Sequence, residues 1–129
     1  MENAMLGWWI VITEQTPKER DEADQMARKA AVLAQWEASI GGIVWLSKLV
    51  EAGKAVQHSF DGYPNRYTAS AGDLLPMLAA GPPSHTGPLV IGDDYVRPAN
   101  WCGKVEMHSE RMAGIPSDRI LTIDVWDQS

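Results

Sequence analysis

The chain predicts an α+β fold, a two-layer sandwich in which an antiparallel or mixed sheet carries helices packed mainly on one face. Three features carry that expectation. An apolar run stands at Leu6–Ile12, a capped helix start follows at Thr16, and alternating apolar residues recur near the C-terminus, so strands flank an early helical segment and cluster late. At 129 residues, one domain spanning 1–129 is expected, because a single core of that size buries most of the surface that the unfolded chain exposes.

Leu-Gly-Trp-Trp-Ile-Val-Ile at 6–12 is apolar on both strand faces, as a covered central strand requires. Thr16, Pro17 and Glu19 then supply an N-cap hydroxyl, a proline at the first helical position and the third-position acid of a capping box. Ala23, Met26, Ala27, Ala30, Leu33 and Ala34 follow at helical spacing and predict a first helix that runs to about Ser39. Gly41-Gly42 is expected to kink or interrupt that helix. Ile43, Leu46 and Val50 then make a shorter stripe closed at Gly53 by a left-handed residue. Val56, His58 and Phe60 alternate with polar residues as the inward side of a half-buried strand, and Asp61-Gly62 with Pro64-Asn65 marks a turn. Asp73 can cap a short helix through Ala80, and the proline-rich 81–88 segment suits a surface loop. Leu89-Val90-Ile91 and Tyr95, joined by Gly92-Asp93-Asp94, form a hairpin pattern. Val105 and Met107 predict one amphipathic strand, and Leu121, Ile123 and Val125 predict another, with a Met112–Ser117 loop between them.

Composition narrows the partners. A formal net charge of -6 repels phosphate backbones and anionic headgroups, so no nucleic acid and no membrane partner is expected, and a basic protein suits the chain better. A single cysteine, Cys102, excludes an internal disulfide and fits a reducing cytoplasm. The opening residues offer neither a basic export signal nor an apolar stretch of spanning length, so no leader or anchor is expected.

Signatures of catalysis are missing from the residue pattern. Cys102 with His58, His85 or His108 lacks any orienting partner visible in sequence, and cysteine beside Trp101 suits packing. The three histidines are too widely spaced for a compact zinc motif, so no metal and no cofactor is expected. His58 fits the inner side of a strand, with its nitrogens satisfied internally, while Glu106 and His108 share the opposite kind of face and suit a wet surface. Gly41-Gly42 is followed by Ile, Val and Trp rather than by a phosphate-binding lysine, and no Gly-x-Ser-x-Gly elbow occurs. The chain is expected not to be an enzyme.

Its aromatic usage points to binding. There are six Trp and one Phe. Trp8, Trp9, Trp36 and Trp45 lie in predicted elements and are expected in the core, which leaves the loop aromatics as candidates. Asp61, Tyr63 and Tyr67 flank a Pro-Asn-Arg turn, Asp93, Asp94 and Tyr95 share another turn, and Trp101 follows Pro98-Ala99-Asn100. Aromatic anchors beside carboxylates are what a site for a basic partner needs: contact area from the rings, steering from the acids.

Gly62-Tyr63-Pro64-Asn65-Arg66-Tyr67, Leu74-Leu75-Pro76 and Val125-Trp126-Asp127-Gln128 resemble the small immunity proteins of bacterial polymorphic toxins, including those of contact-dependent growth inhibition. The resemblance implies a cytoplasmic, non-catalytic protein that binds one cognate toxin, often a basic nuclease, and masks its active site; it transfers no contact residue by position. The contact set expected from the loops is therefore Asp61, Tyr63, Tyr67, Asp93, Asp94, Tyr95 and Trp101. Two alternatives stand beside this. One is a small ferredoxin-like enzyme or ligand-binding protein with a Trp-lined pocket between sheet and helices near His108 and Glu106. The other is a phage or mobile-element inhibitor of a host nuclease. Replacing Asp93→Lys and Asp94→Lys together is expected to leave folding intact and slow association with a basic partner, and unchanged association rates in stopped-flow binding would remove that turn from the contact set.

Overall fold

The computed structural model describes residues 7–39, 42–61, 63–79, 81–83, 89–91, 95–97 and 102–127, with residues 39, 89–91, 95–97 and 102 described as backbone only. In chain order these residues form β1 (Gly7–Thr13), α1 (Pro17–Glu22), α2 (Gln25–Ala30), β2 (Val32–Ser39), α3 (Val44–Glu51), β3 (Ala55–Gln57) and β4 (Asn65–Ser70). Then come α4 (Ala71–Leu74), which runs into a 3-10 turn at Leu75–Leu78, β5 (Leu89–Ile91), β6 (Tyr95–Arg97), β7 (Cys102–Met107), α5 (Ser109–Ala113) and β8 (Ile120–Asp127). Six strands make one sheet in the order β3-β4-β8-β1-β2-β7, every neighbouring pair antiparallel, and β5 with β6 forms a separate hairpin. The architecture is an α+β sandwich.

Strand alternation sorts the side chains of the large sheet onto two unlike faces. On the inner face Ile10 and Ile12 of β1 lie between Ala34, Trp36 and Ala38 of β2 and Leu121, Ile123 and Val125 of β8, with Tyr67 and Ala69 of β4 beyond. Helix α3 covers this face with Trp45, Leu46 and Leu49, and Leu74, Leu78 and Met112 complete the layer. Trp36 and Trp45 meet with ring centroids 6.3 Å apart and planes tilted by 32°, an offset geometry that aromatic pairs favour. The outer face is mixed: it carries Thr13, Thr122, Asp124, Arg66 and Thr68 on the same rungs, with Trp9, Val11 and Trp126 toward one end.

The capping box forms as the sequence predicts: the Glu19 N–H donates to Thr16 Oγ1 at 3.2 Å, and the Thr16 N–H donates to Glu19 Oε1 at 2.9 Å. The helix it starts is much shorter than expected. α1 stops at Glu22, and Asp24 caps a new helix by accepting the Ala27 N–H at 2.8 Å. Residues 32–39, expected to be helical, form β2. Ala34-Gln35-Trp36-Glu37-Ala38 alternates strictly between apolar and polar, and pairing with β1 buries Ala34, Trp36 and Ala38 against the core, which no stripe of small alanines on a solvated helix could match. Gly42 therefore lies in the turn from β2 into α3 rather than at a helix kink, where its carbonyl accepts the indole N–H of Trp45 at 2.8 Å. Gly53, at φ 76°, closes α3 as expected.

Other expectations are corrected in detail. β3 turns Ala55 inward, so Val56 faces water and the stripe of Val56, His58 and Phe60 is the outer one. His58 is exposed and its Nε2 pairs with Thr68 Oγ1 at 2.8 Å. Ser70, not Asp73, caps α4, accepting the Asp73 N–H at 3.3 Å. A bulge in β7, with Lys104 at φ 50°, sets Lys104 and Val105 together opposite Trp36 and leaves Val105 exposed on the edge strand. The 112–117 loop begins inside α5. Of the four tryptophans expected in the core, Trp36 and Trp45 are there and Trp8 packs against it, but Trp9 points to the outer face opposite Trp126. The side chain of Cys102 lies outside the described residues.

Neither α1 nor α2 buries a residue, so the attachment of α1 to the outer face is ionic. Asp124, 1% exposed, accepts the Arg20 Nε–H at 2.6 Å on one carboxylate oxygen and the Arg66 Nε–H at 2.7 Å on the other. Arg66 also reaches Asp21 of α1 at 2.9 Å. The hydrogen bonds to Asp124 come first in holding the Arg66 guanidinium protonated even above its usual range, and those to Asp21 add to them against the cost of burial. Removing Asp124 would leave two part-buried guanidinium groups facing each other. Asp124→Ala is expected to lower unfolding free energy by about 3 kcal/mol in urea denaturation, against a change within about 0.5 kcal/mol for the exposed Asp118→Ala; equal effects would refute the anchoring role.

Candidate functional site

The loop between β3 and β4 projects the most exposed aromatics of the described residues. Phe60 is 76% exposed and Tyr63 is 69% exposed, with Asp61 between them. Two large rings exposed on one loop offer contact area of the kind that interface anchors supply.

The loop is tied at its base. The Ser59 hydroxyl donates to the Pro64 carbonyl at 2.8 Å and accepts the Arg66 N–H at 3.0 Å, while Gln57 Nε2 donates to the Ser59 carbonyl at 3.1 Å and the His58 N–H to the Arg66 carbonyl at 2.6 Å. Asp61 Oδ1 accepts the Tyr63 N–H at 3.0 Å, a local turn in which an Asp side chain replaces a backbone acceptor. The rings are thus carried on a closed base, which lowers the entropy lost when a partner orders them. Beside the loop lies a hollow of about 430 Å³ bordered by His58, Asp61, Tyr63, Pro64 and Arg66, with Pro17 and Asp21 of α1 on its far wall. Arg66 is already engaged by Asp124 and Asp21, so Asp61 is the carboxylate of this border that meets no cation among the described residues.

The sequence-derived contact set divides accordingly. Asp61 and Tyr63 come together on this loop. Tyr67 does not join them: at 4% exposure it points inward from β4 toward Ile123, because Tyr67 and Ala69 occupy the inner positions of that strand, and burial raises its phenol pKa above the ordinary value. Tyr67 is therefore a core residue. Tyr95 opens β6 opposite Ile91, with its side chain outside the described residues, and Asp93, Asp94 and Trp101 also lie outside them. Phe60 was missed because alternation with Val56 assigned it to the inner face. Its place as the sole Phe, directly before an Asp-Gly turn, is the signal that points outward.

Glu106 and His108 do meet. His108 Nε2 lies 2.6 Å from Glu106 Oε2, and Gln35 Nε2 donates to Glu106 Oε1 at 3.1 Å. The pair sits at the open edge of the sheet with the Glu106 side chain about half exposed and the His108 ring 22% exposed. Among the described residues no group of three or more His, Cys, Asp or Glu is gathered to hold a metal ion, and no helix is long and apolar enough to cross a membrane. No family model, curated protein or solved structure matches the chain.

The hydrogen bond from His108, followed by that from Gln35, lowers the Glu106 carboxyl pKa below its ordinary value. A lowered carboxylate contributes stability that is fully present above the ordinary value, about 4.3, and is lost as pH falls through the lower folded value. His108→Ala is expected to move the Glu106 midpoint upward in a side-chain carboxyl NMR titration; an unmoved midpoint would show that the contact does not persist in solution.

Proposed function

We propose that the protein is a non-catalytic binding protein that captures and masks a basic protein partner, as an immunity protein masks its cognate toxin. The observation that carries this reading is the tied β3–β4 loop, which presents Phe60 and Tyr63 to solvent on either side of Asp61. Exposed rings on a fixed base supply the central contact area of an interface, and an unpaired carboxylate between them favours a cationic side chain there. The overall charge of -6 assists approach of a basic partner over longer range, and this steering weakens as salt rises.

The partner this reading assigns is a basic toxin, such as a nuclease, met in the reducing cytoplasm that a single cysteine suits. The resemblance of the Gly62–Tyr67 segment to toxin immunity proteins falls on the same loop. Asp61 and Tyr63 are retained as contacts and Phe60 is added to them.

Tagged protein and a Phe60→Ser, Tyr63→Ser double variant, purified side by side from native lysate at low salt, separate the outcomes. The expected result is one basic partner at fixed stoichiometry on the parent protein, released by a salt gradient and lost from the variant. A partner retained undiminished by the variant would exclude the loop as the interface. An empty eluate from cells that express the candidate toxin would count against the binding role itself.

A further inference from the structure

The outer face holds a second hollow on the other side of α1, and its chemistry is the reverse of the chain's. Trp9 of β1 and Trp126 of β8 stand directly opposite each other across the strand pair and form its floor with Val11. Directly opposed residues on one face bring their Cβ atoms to within about 5 Å, so both indoles border the same hollow. Arg28 and Lys29 of α2 form the rim, and among the described residues no Asp or Glu lines the hollow, although acids outnumber bases 17 to 11 in the whole chain.

The rim has donors to spare. Arg28 Nε donates to the Arg20 carbonyl at 2.9 Å and Nη2 to the Asp21 carbonyl at 3.4 Å, so the guanidinium is held in place with Nη1 unengaged. The Lys29 ammonium makes no hydrogen bond or ion pair among the described residues. Trp126 remains 37% exposed, a large apolar surface left open beside those cations. The volume is about 430 Å³, within the range of small-molecule sites.

We propose that this hollow binds a small planar aromatic carboxylate, its ring over Trp9 and Trp126 and its carboxylate at Arg28 and Lys29. The flat face of the ligand recovers the area that the open indoles expose to water, and a carboxylate converts unengaged donors into charge-assisted hydrogen bonds. A basic protein partner is repelled by the same rim, so this site is separate from the β3–β4 loop and does not depend on it.

The test uses the full chain and two probes of matched shape, 2-naphthoate and the uncharged 2-naphthylmethanol, titrated calorimetrically. The parent protein is expected to bind naphthoate saturably and about tenfold more tightly than the alcohol, the difference one charge-assisted contact supplies. Arg28→Gln with Lys29→Gln, both on an exposed helix surface, is expected to abolish that preference while leaving the alcohol unaffected. Trp126→Ala is expected to weaken both probes about tenfold, the scale of one lost aromatic contact. Equal affinity for acid and alcohol, no saturable naphthoate binding at millimolar concentration, or an acid preference that survives the double Gln variant would each overturn the proposal.

Discussion

The buried carboxylate of Asp124 is the constraint on which the outer half of this molecule depends. A lone ionised carboxylate without partners would be strongly disfavoured at 1% exposure, and Arg20 and Arg66 each supply it with a charge-assisted hydrogen bond. One of those arginines belongs to α1 and the other to β4, so satisfying a single buried charge also fixes where a helix lies across the sheet. Asp21 reinforces that placement by accepting from Arg66 Nη1 on both carboxylate oxygens. Because α1 contributes no buried residue, polar contacts rather than apolar packing position it: the Asp124 cluster, with Arg28 bonding the Arg20 carbonyl and Thr122 the Gln15 carbonyl.

The inner face works by the ordinary physics of close packing. Trp36, Ile10, Ile123 and Leu46 are fully buried, and β1 at the sheet's centre contributes to the core along most of its length. Apolar burial of this kind supplies the stability that permits the other face to carry polar and charged groups. Division of labour between faces follows directly from the two-residue period of the strands: Trp8, Ile10 and Ile12 go one way, and Trp9, Val11 and Thr13 go the other. A tryptophan pair in adjacent positions therefore has two fates, and only sheet pairing decides which ring enters the core.

Local chemistry was the legible part of the sequence. The capping box at Thr16, the left-handed closure at Gly53, the hairpin around Tyr95 and the alternation of β8 all depend on residues within a few positions of one another, and each is found in the fold. The errors arose where tertiary pairing outweighed a local pattern. Ala27 and Ala30 are helical, in α2, but the helical preference of Ala34 is worth only tenths of a kcal/mol, about the scale of one propensity step, whereas the Gln35, Trp36, Glu37 alternation acquires its full value only when β1 lies alongside. The same applies at the candidate site. Tyr63 and Asp61 could be identified from turn residues, but Tyr67 could not be separated from them until its register with Ile123 assigned it inward, and the Trp9–Trp126 pairing joins residues more than a hundred positions apart.

An ionic anchor also explains why the outer face is covered only in part, with Val11, Thr13, Thr122 and Asp124 buried and Trp126 37% exposed. Had α1 and α2 carried apolar stripes, they would have settled onto Trp9 and Trp126 and covered the rest of the sheet as α3 covers the inner side. Arg20 instead reaches its carboxylate through a long side chain, which holds α1 over Asp124 while Arg28 and Lys29 of α2 stand at the edge of the aromatic floor. The result is a ridge with a hollow on each flank. On one side Asp21 borders Asp61 and Tyr63, and on the other α2 presents cations with no acid among them. Opposite charge preferences can coexist within one small face because the Arg20, Asp124, Arg66 and Asp21 charges balance one another beneath the ridge, leaving each flank with the charge of its own border.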